Sequence, residues 1–354
     1  GINMSNVSNA TIVNNTILTN GSNNAYGILL SNASNNSVHN NTIHTNGTTL
    51  AHGIFVRFTS NNNTIFNNLI RTRGTGVTNN GFYVFAVSSD NKILNNSVNA
   101  TSSANGAAVQ VESNSHNAVI ANNTLRALSA SPSNWGVYLF TSVSNAFVAH
   151  NNISANATSS NFAIHLDTGS DNHTVMHNDI NVSASGGTSD GIRLDTGARN
   201  NVVANNSIVV ARLGGGTQVG IRLISTAINN TIANNTIRTN GTSSNVGIQV
   251  ATTTNGNFIY GNFIVTGGTA GSNDGIFLTS ATNNTIATNT INTSGPTLNR
   301  GIRLDGTVSN NTVVNNTVRA SGTTTNNVGI LVRSIAHDNN VSNNVVFTNG
   351  TTTN

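Results

Sequence analysis

The chain has 354 residues, of which only 7% are charged and 5% aromatic, and it contains no cysteine. That leaves no disulfide framework and no thiolate metal site, and no apolar run approaches the length of a membrane span. The net charge of +4 rests on scattered arginines and one lysine, Lys92, so no basic track for a phosphate backbone exists and nucleic-acid binding is not expected.

Abundant Asn, Thr and Ser would suit a disordered tract, but 36% of the residues are hydrophobic and recur at fixed places. Each period opens with a pair two residues apart, which puts both side chains on one face of a strand. The pairs run Ile2/Met4, Ile28/Leu30, Ile54/Val56, Phe82/Val84, Val109/Val111, Val137/Leu139, Ile164/Leu166, Ile192/Leu194, Ile221/Leu223, Ile248/Val250, Ile276/Leu278, Ile302/Leu304 and Ile330/Val332. A β-branched residue follows in every period: Ile12, Val38, Ile65, Ile93, Ile120, Val148, Val175, Val203, Ile232, Ile259, Ile286, Val313, Val341. Five residues later comes an anchor: Ile17, Ile43, Ile70, Val98, Leu125, Ile153, Ile180, Ile208, Ile237, Ile264, Ile291, Val318, Val346. Anchor spacings are 26 to 29 residues.

A coil of this size cannot bury its own apolar face, but stacked coils can. The sequence therefore predicts an all-β, single-stranded right-handed parallel β-helix, a β-solenoid of about 13 coils of about 27 residues. It is read as one continuous domain over 1–354, open to extension by a longer chain. At about 4.8 Å per coil the rod is roughly 60 Å long. A helical solenoid is disfavoured by the density of Asn, Thr, Gly and β-branched residues.

Two residues before every anchor stands an asparagine: Asn15, Asn41, Asn68, Asn96, Asn123, Asn151, Asn178, Asn206, Asn235, Asn262, Asn289, Asn316, Asn344. These are expected to stack as an internal amide ladder. A second column, eight before the anchor, includes Asn9, Asn35, Asn62, Asn172 and Asn310 and suits left-handed backbone at tight corners.

The Gly-Ile-x-Leu…Asn-Asn-x-Ile-x-x-Asn-x-Ile pattern resembles the parallel β-helix repeat family, its NosD-like and archaeal or bacterial surface members in particular. The resemblance covers the whole chain. It implies the fold strongly and function weakly, because the fold carries lyases, hydrolases, epimerases, adhesins and surface-layer proteins alike.

Carbohydrate-active members need clustered carboxylates, yet there are ten acids and Glu112 is the only glutamate. Asp167 and Asp195, with Asp305 further along, form the nearest column, beside His165 and Arg193. They read as a retaining pair, as a weak cation site or, more plainly, as strand-end acids beside an outward arginine. No catalytic motif of pectate lyases or polygalacturonases is present, so no catalytic or cofactor residue is assigned and the chain is expected not to be an enzyme. His150 and His177 replace Asn at one turn position in adjacent coils, near Asp171, His173 and Asp179. A His/Asp metal site is chemically open there, and the NosD-like resemblance implies copper. With Val175 inward, however, His173 and His177 are expected outside as solvated side chains, and no metal ligand is assigned. The glycine-rich calcium repeat is absent.

Between the paired core positions an outward stripe reads Leu29, Phe55, Tyr83, Gln110, Tyr138, His165, then turns to arginine; Phe85, Phe140 and Trp135 join it. Exposed aromatic area of this kind marks an interface, so Phe55, Tyr83, Phe85, Tyr138 and Phe140 are candidates for lateral contact, sugar stacking or cover by loops. The variable loop after each anchor carries sequons at Asn20, Asn46, Asn240 and Asn349, the candidate glycosylation sites. Chain start and end both follow the repeat, without caps. The expectation is therefore self-association end to end and side to side, in an extracellular layer, sheath or filament with covalent glycans. The rival expectation is a carbohydrate-binding or carbohydrate-processing β-helix, and a third is a NosD-like periplasmic accessory protein.

Overall fold

The computed structural model describes every residue except 77, 130–132, 213–214, 243, 324–325 and 351–354. The described residues form strands, corners and loops with no helix, and every turn gives one strand to each of three parallel sheets, A, B and C. Two compact units divide the chain, Gly1–Asp179 and Ile180–Asn354.

In the first unit the predicted columns are the observed registers. Sheet A aligns Ile28, Ile54, Phe82, Val109, Val137 and Ile164. Sheet B aligns Ile12, Val38, Ile65, Ile93, Ile120, Val148 and Val175. Sheet C aligns Ile17, Ile43, Ile70, Val98, Leu125 and Ile153. The second unit repeats this, with Ile192, Ile221, Ile248, Ile276, Ile302 and Ile330 in register in sheet A. Nearly all these side chains are fully buried, so each unit has one dry core enclosed by its three sheets.

Asparagine shapes the corners in two ways. Asn14, Asn40, Asn67, Asn95 and Asn122 sit at φ 53 to 58°, as do Asn9, Asn35 and Asn62 at 55 to 59°. Asparagine tolerates this left-handed backbone. The ladder asparagines turn inward instead. Asn41, Asn68, Asn96, Asn123 and Asn151 are 1–2% exposed, and each Nδ2 donates to the Oδ1 one turn on at 3.0–3.1 Å. The second unit runs the same ladder from Asn206 through Asn235, Asn262, Asn289 and Asn316 to Asn344.

A further buried ladder escaped the sequence reading. The residue after the first corner asparagine also faces in, linking Asn36 to Asn63 to Asn91 in one unit and Asn201 through Asn230, Asn257, Asn284 and Asn311 to Asn339 in the other. This column corrects the expectation for His173. It is 1% exposed and takes an asparagine's place, its Nδ1 accepting from the Ala146 N–H at 3.0 Å. His173 lies two residues before the inward Val175, so strand alternation itself puts both side chains on one face, and the expectation had assigned His173 to the wrong one.

The glycine of Gly-Ile-x-Leu is a packing residue. A Cβ on Gly220 would meet Ile237 Cγ2 at 2.2 Å and the Gly247 carbonyl oxygen at 2.6 Å. Only glycine lets sheet A approach the sheet C anchor this closely.

Candidate functional site

The outer face of sheet A in residues 1–179 carries the densest chemistry. Its strands, among them Ile54–Arg57, Phe82–Phe85, Gly106–Glu112, Ser133–Phe140 and Ser160–Leu166, set outward residues in successive tiers. One tier holds His52 and Phe55, and the next Asn80, Tyr83 and Phe85. Ala107, Gln110 and Glu112 follow, then Trp135, Tyr138 and Phe140, then Phe162, His165 and Asp167.

Rings meet both between successive turns and along one strand. Phe55 stacks on Tyr83 at 4.9 Å, Trp135 on Tyr138 at 4.7 Å, and Tyr138 on Phe140 and His165 at 5.1 Å each. This corrects the expectation of an exposed aromatic stripe. Phe55 is 6% exposed, and Tyr83, Phe85, Tyr138 and Phe140 are half-buried. Side chains about 4.8 Å apart cover one another.

The Ala107–Gln110–Glu112 tier interrupts this stack. Tyr83, Gln110 and Tyr138 are in register, so roughly 10 Å separates the two flanking aromatic tiers. Glu112 sits in the interruption with its carboxylate held twice, by the Tyr83 hydroxyl at 2.5 Å and by Gln110 Nε2 at 2.6 Å. Asn80 Nδ2 in turn fixes Gln110 Oε1 at 2.8 Å. Burial first, then the bond and charge of Glu112, hold the Tyr83 hydroxyl well above its ordinary range, so it remains a donor. Glu112, Tyr83, Trp135, Tyr138 and the two phenylalanines keep part of their surface open to solvent.

The next tier adds a histidine and an acid. Trp135 Nε1 donates to His165 Nδ1 at 3.2 Å, which assigns the ring proton to Nε2, 3.8 Å from Asp167 Oδ2. The Tyr138 hydroxyl donates to the same Asp167 oxygen at 3.2 Å. Asp167 Oδ1 accepts from the Thr168 N–H and hydroxyl, which fixes the carboxylate at the strand end. In the first of these tiers His52 is structural: burial depresses its pKa to about 3, and Nδ1 accepts from the Asn80 N–H.

In the second unit the same face is ionic. Arg222 grips Asp190 in a two-point contact at 2.9 Å, and Arg193 and Arg303 pair with Asp195 and Asp305 two residues on. Asp195 and Asp305 are thus strand-end acids paired with outward arginines, whereas Asp190 is buried near the start of its strand. Asp274 joins Arg300 and Arg303, and its burial outweighs them to raise its pKa.

Asn20, Asn46, Asn240 and Asn349 are all exposed but lie within sheet C strands and not in loops, Asn20 and Asn46 in the middle of theirs. Cavities of about 530 and 520 Å³ lie beside Asn46 and Asn349, floored by glycines. Neither cavity adjoins the sheet A face. His150 and His177 are exposed at corners. No helix of the described residues is long and apolar enough to cross a membrane.

Residues 1–132 match the family model described as the right handed beta helix region. No curated protein sequence matches the chain. Among solved structures, the periplasmic alginate epimerase AlgG superposes with a TM-score of 0.60 at 14% identity, over 92% of this chain and 78% of that one. DFA-IIIase from Arthrobacter chlorophenolicus A6, solved with GF2, gives 0.54 at 11% identity, over 85% and 82%. The Dettilon tailspike protein gives 0.51 at 14%, over 87% and 62%. At these identities the likeness establishes the parallel β-helix fold.

The matches also overturn the expectation of a non-enzyme. That expectation took the scarcity of acids as grounds for a purely structural rod. The same fold is found in an epimerase and in DFA-IIIase, and in this chain it gathers Glu112, Asp167, His165 and two tyrosines on one face without an acid-rich sequence.

Proposed function

We propose that this protein binds a carbohydrate chain across the outer face of sheet A in residues 1–179 and performs acid/base chemistry on it. The observation that carries the reading is the break in the aromatic stack at Glu112. Aromatic tiers on either side offer faces for sugar rings, and between them lies a carboxylate already oriented by Tyr83 and Gln110. In this reading Trp135, Tyr138 and Phe140 position the sugar. Glu112 exchanges a proton with it, and the Tyr83 hydroxyl holds the carboxylate in place. His165, aligned by Trp135 and facing Asp167, is the second proton-transfer group. The two carboxylates stand two tiers apart, leaving room for one sugar unit over Phe140. Carbohydrate-related proteins among the matched structures support this reading over that of a filament subunit, and the periplasmic match supports action outside the cytoplasm.

The test is to incubate the full chain with a panel of neutral and acidic polysaccharides and follow the products by proton NMR, which detects cleavage, elimination and epimerisation alike. Turnover of at least one polymer is expected, with Glu112→Gln losing it while still binding the substrate. Absence of product from every polymer, or turnover undiminished in Glu112→Gln, would refute the assignment.

A further inference from the structure

His150 and His177 lie away from this face, at the corner between sheets B and C. The five preceding turns put asparagine there: Asn14, Asn40, Asn67, Asn95 and Asn122, at φ 53 to 58°. The two histidines keep the same backbone, at φ 56° and 54°. Their substitution therefore leaves the corner unchanged and replaces two short amides by two imidazoles. The rings lie parallel, 7° apart in orientation with centroids 5.0 Å apart. Both are exposed, and neither imidazole hydrogen-bonds to any described residue. Asp179, also exposed, follows His177 by two residues and opens the next sheet C strand, its N–H anchored to the Asn151 carbonyl at 2.9 Å. The inward ladder residue Asn178 separates the two.

We infer that His150 and His177 form a surface site for a borderline divalent transition-metal ion such as zinc. Neutral imidazole is the ligand these ions favour, whereas calcium and magnesium favour oxygen cages. Zinc–nitrogen bonds of about 2.0–2.1 Å require the two donor atoms to stand within about 4 Å of each other. Rings 5.0 Å apart on fixed corners reach this by tilting about their side-chain torsions, without moving the backbone. Water completes the coordination. An ion held this way ties two turns together from outside.

The experiment is isothermal titration of the tag-free, metal-stripped full chain with zinc chloride, paired with thermal melting with and without zinc. One zinc per chain and a zinc-dependent rise in melting temperature are expected. His150→Asn and His177→Asn restore the residue of the preceding turns, so the fold and the metal-free melting temperature should be preserved. Each is expected to weaken binding at least ten-fold and the double variant to abolish it, while Asp179→Asn leaves it unchanged. A wild-type chain that takes up no zinc, or zinc binding that survives in the double variant, overturns the site.

Discussion

Replacing Asn123 by leucine removes five hydrogen bonds at one point of the ladder. Its Nδ2 donates to the Ile93 carbonyl at 2.8 Å, the Ala121 carbonyl at 3.0 Å and Asn151 Oδ1 at 3.0 Å. Its Oδ1 accepts from the Asn96 backbone N–H at 2.8 Å and from Asn96 Nδ2 at 3.1 Å. Asn96 Nδ2 keeps the Ile65 carbonyl, but its N–H is left buried without an acceptor. One orphaned buried donor costs about 1–3 kcal/mol, and the remaining lost bonds bring the total to about 3–5 kcal/mol. Its neighbour Asn122 is the control. It is exposed at φ 57°, so Asn122→Gly should change stability by no more than about 0.5 kcal/mol. Urea unfolding measures both, and hydrogen exchange of the peptide containing Asn96 reads the local effect, because stacked repeats open in parts. If Asn123→Leu unfolds within 0.5 kcal/mol of wild type, or if the two variants cost the same, the ladder is not the stabilising element argued above.

Gly220→Ala should destabilise the second unit by about 1–3 kcal/mol, since its new methyl meets the Ile237 side chain and a backbone carbonyl; a thermal melt checks this. Burial depresses His173 to about 3 against an ordinary value of 6.5. The unfolded chain therefore takes up a proton that the folded chain refuses, and stability falls as pH drops from about 6.5 towards 3. His173→Asn, which restores the ladder residue, should lessen the slope of urea midpoints across that window and leave the share due to His52, which is depressed in the same way; an unchanged slope would contradict the assignment. Tyr83→Phe removes one of the two groups holding the Glu112 carboxylate, and is expected to slow turnover at least ten-fold with little change in the melting curve.

The fold was legible because every determinant of a turn recurs within its own 27 residues. The paired core positions, the β-branched column, the anchor and Asn15 with its equivalents each repeat often enough to expose a column. The second ladder was missed because Asn-Asn doublets hide two opposite conformations. Asn35 turns out at φ 59° and Asn36 turns in at 2% exposure. The site was less legible because its contacts join single residues from different turns. Tyr83 meets Glu112, Trp135 meets His165, and Tyr138 meets Asp167 across 29 or 30 residues. Each is diagonal across sheet A, so no single column displays it. A signal was nevertheless present: after Arg57, the residue following the second core position reads Phe85, Glu112, Phe140, Asp167, and alternates ring with carboxylate. Counting acids over the whole chain concealed this local placement.

Trp135 is the only tryptophan and stands beside the proposed sugar-binding tier, half-buried against Tyr138. Its fluorescence on titration with oligosaccharides therefore reports occupancy of this face directly. The account predicts a saturable change in emission with at least one oligosaccharide that is also a substrate, lost in Tyr138→Ala and retained in Glu112→Gln. Turnover of a polysaccharide whose fragments leave Trp135 emission unchanged would place the chemistry elsewhere on the molecule.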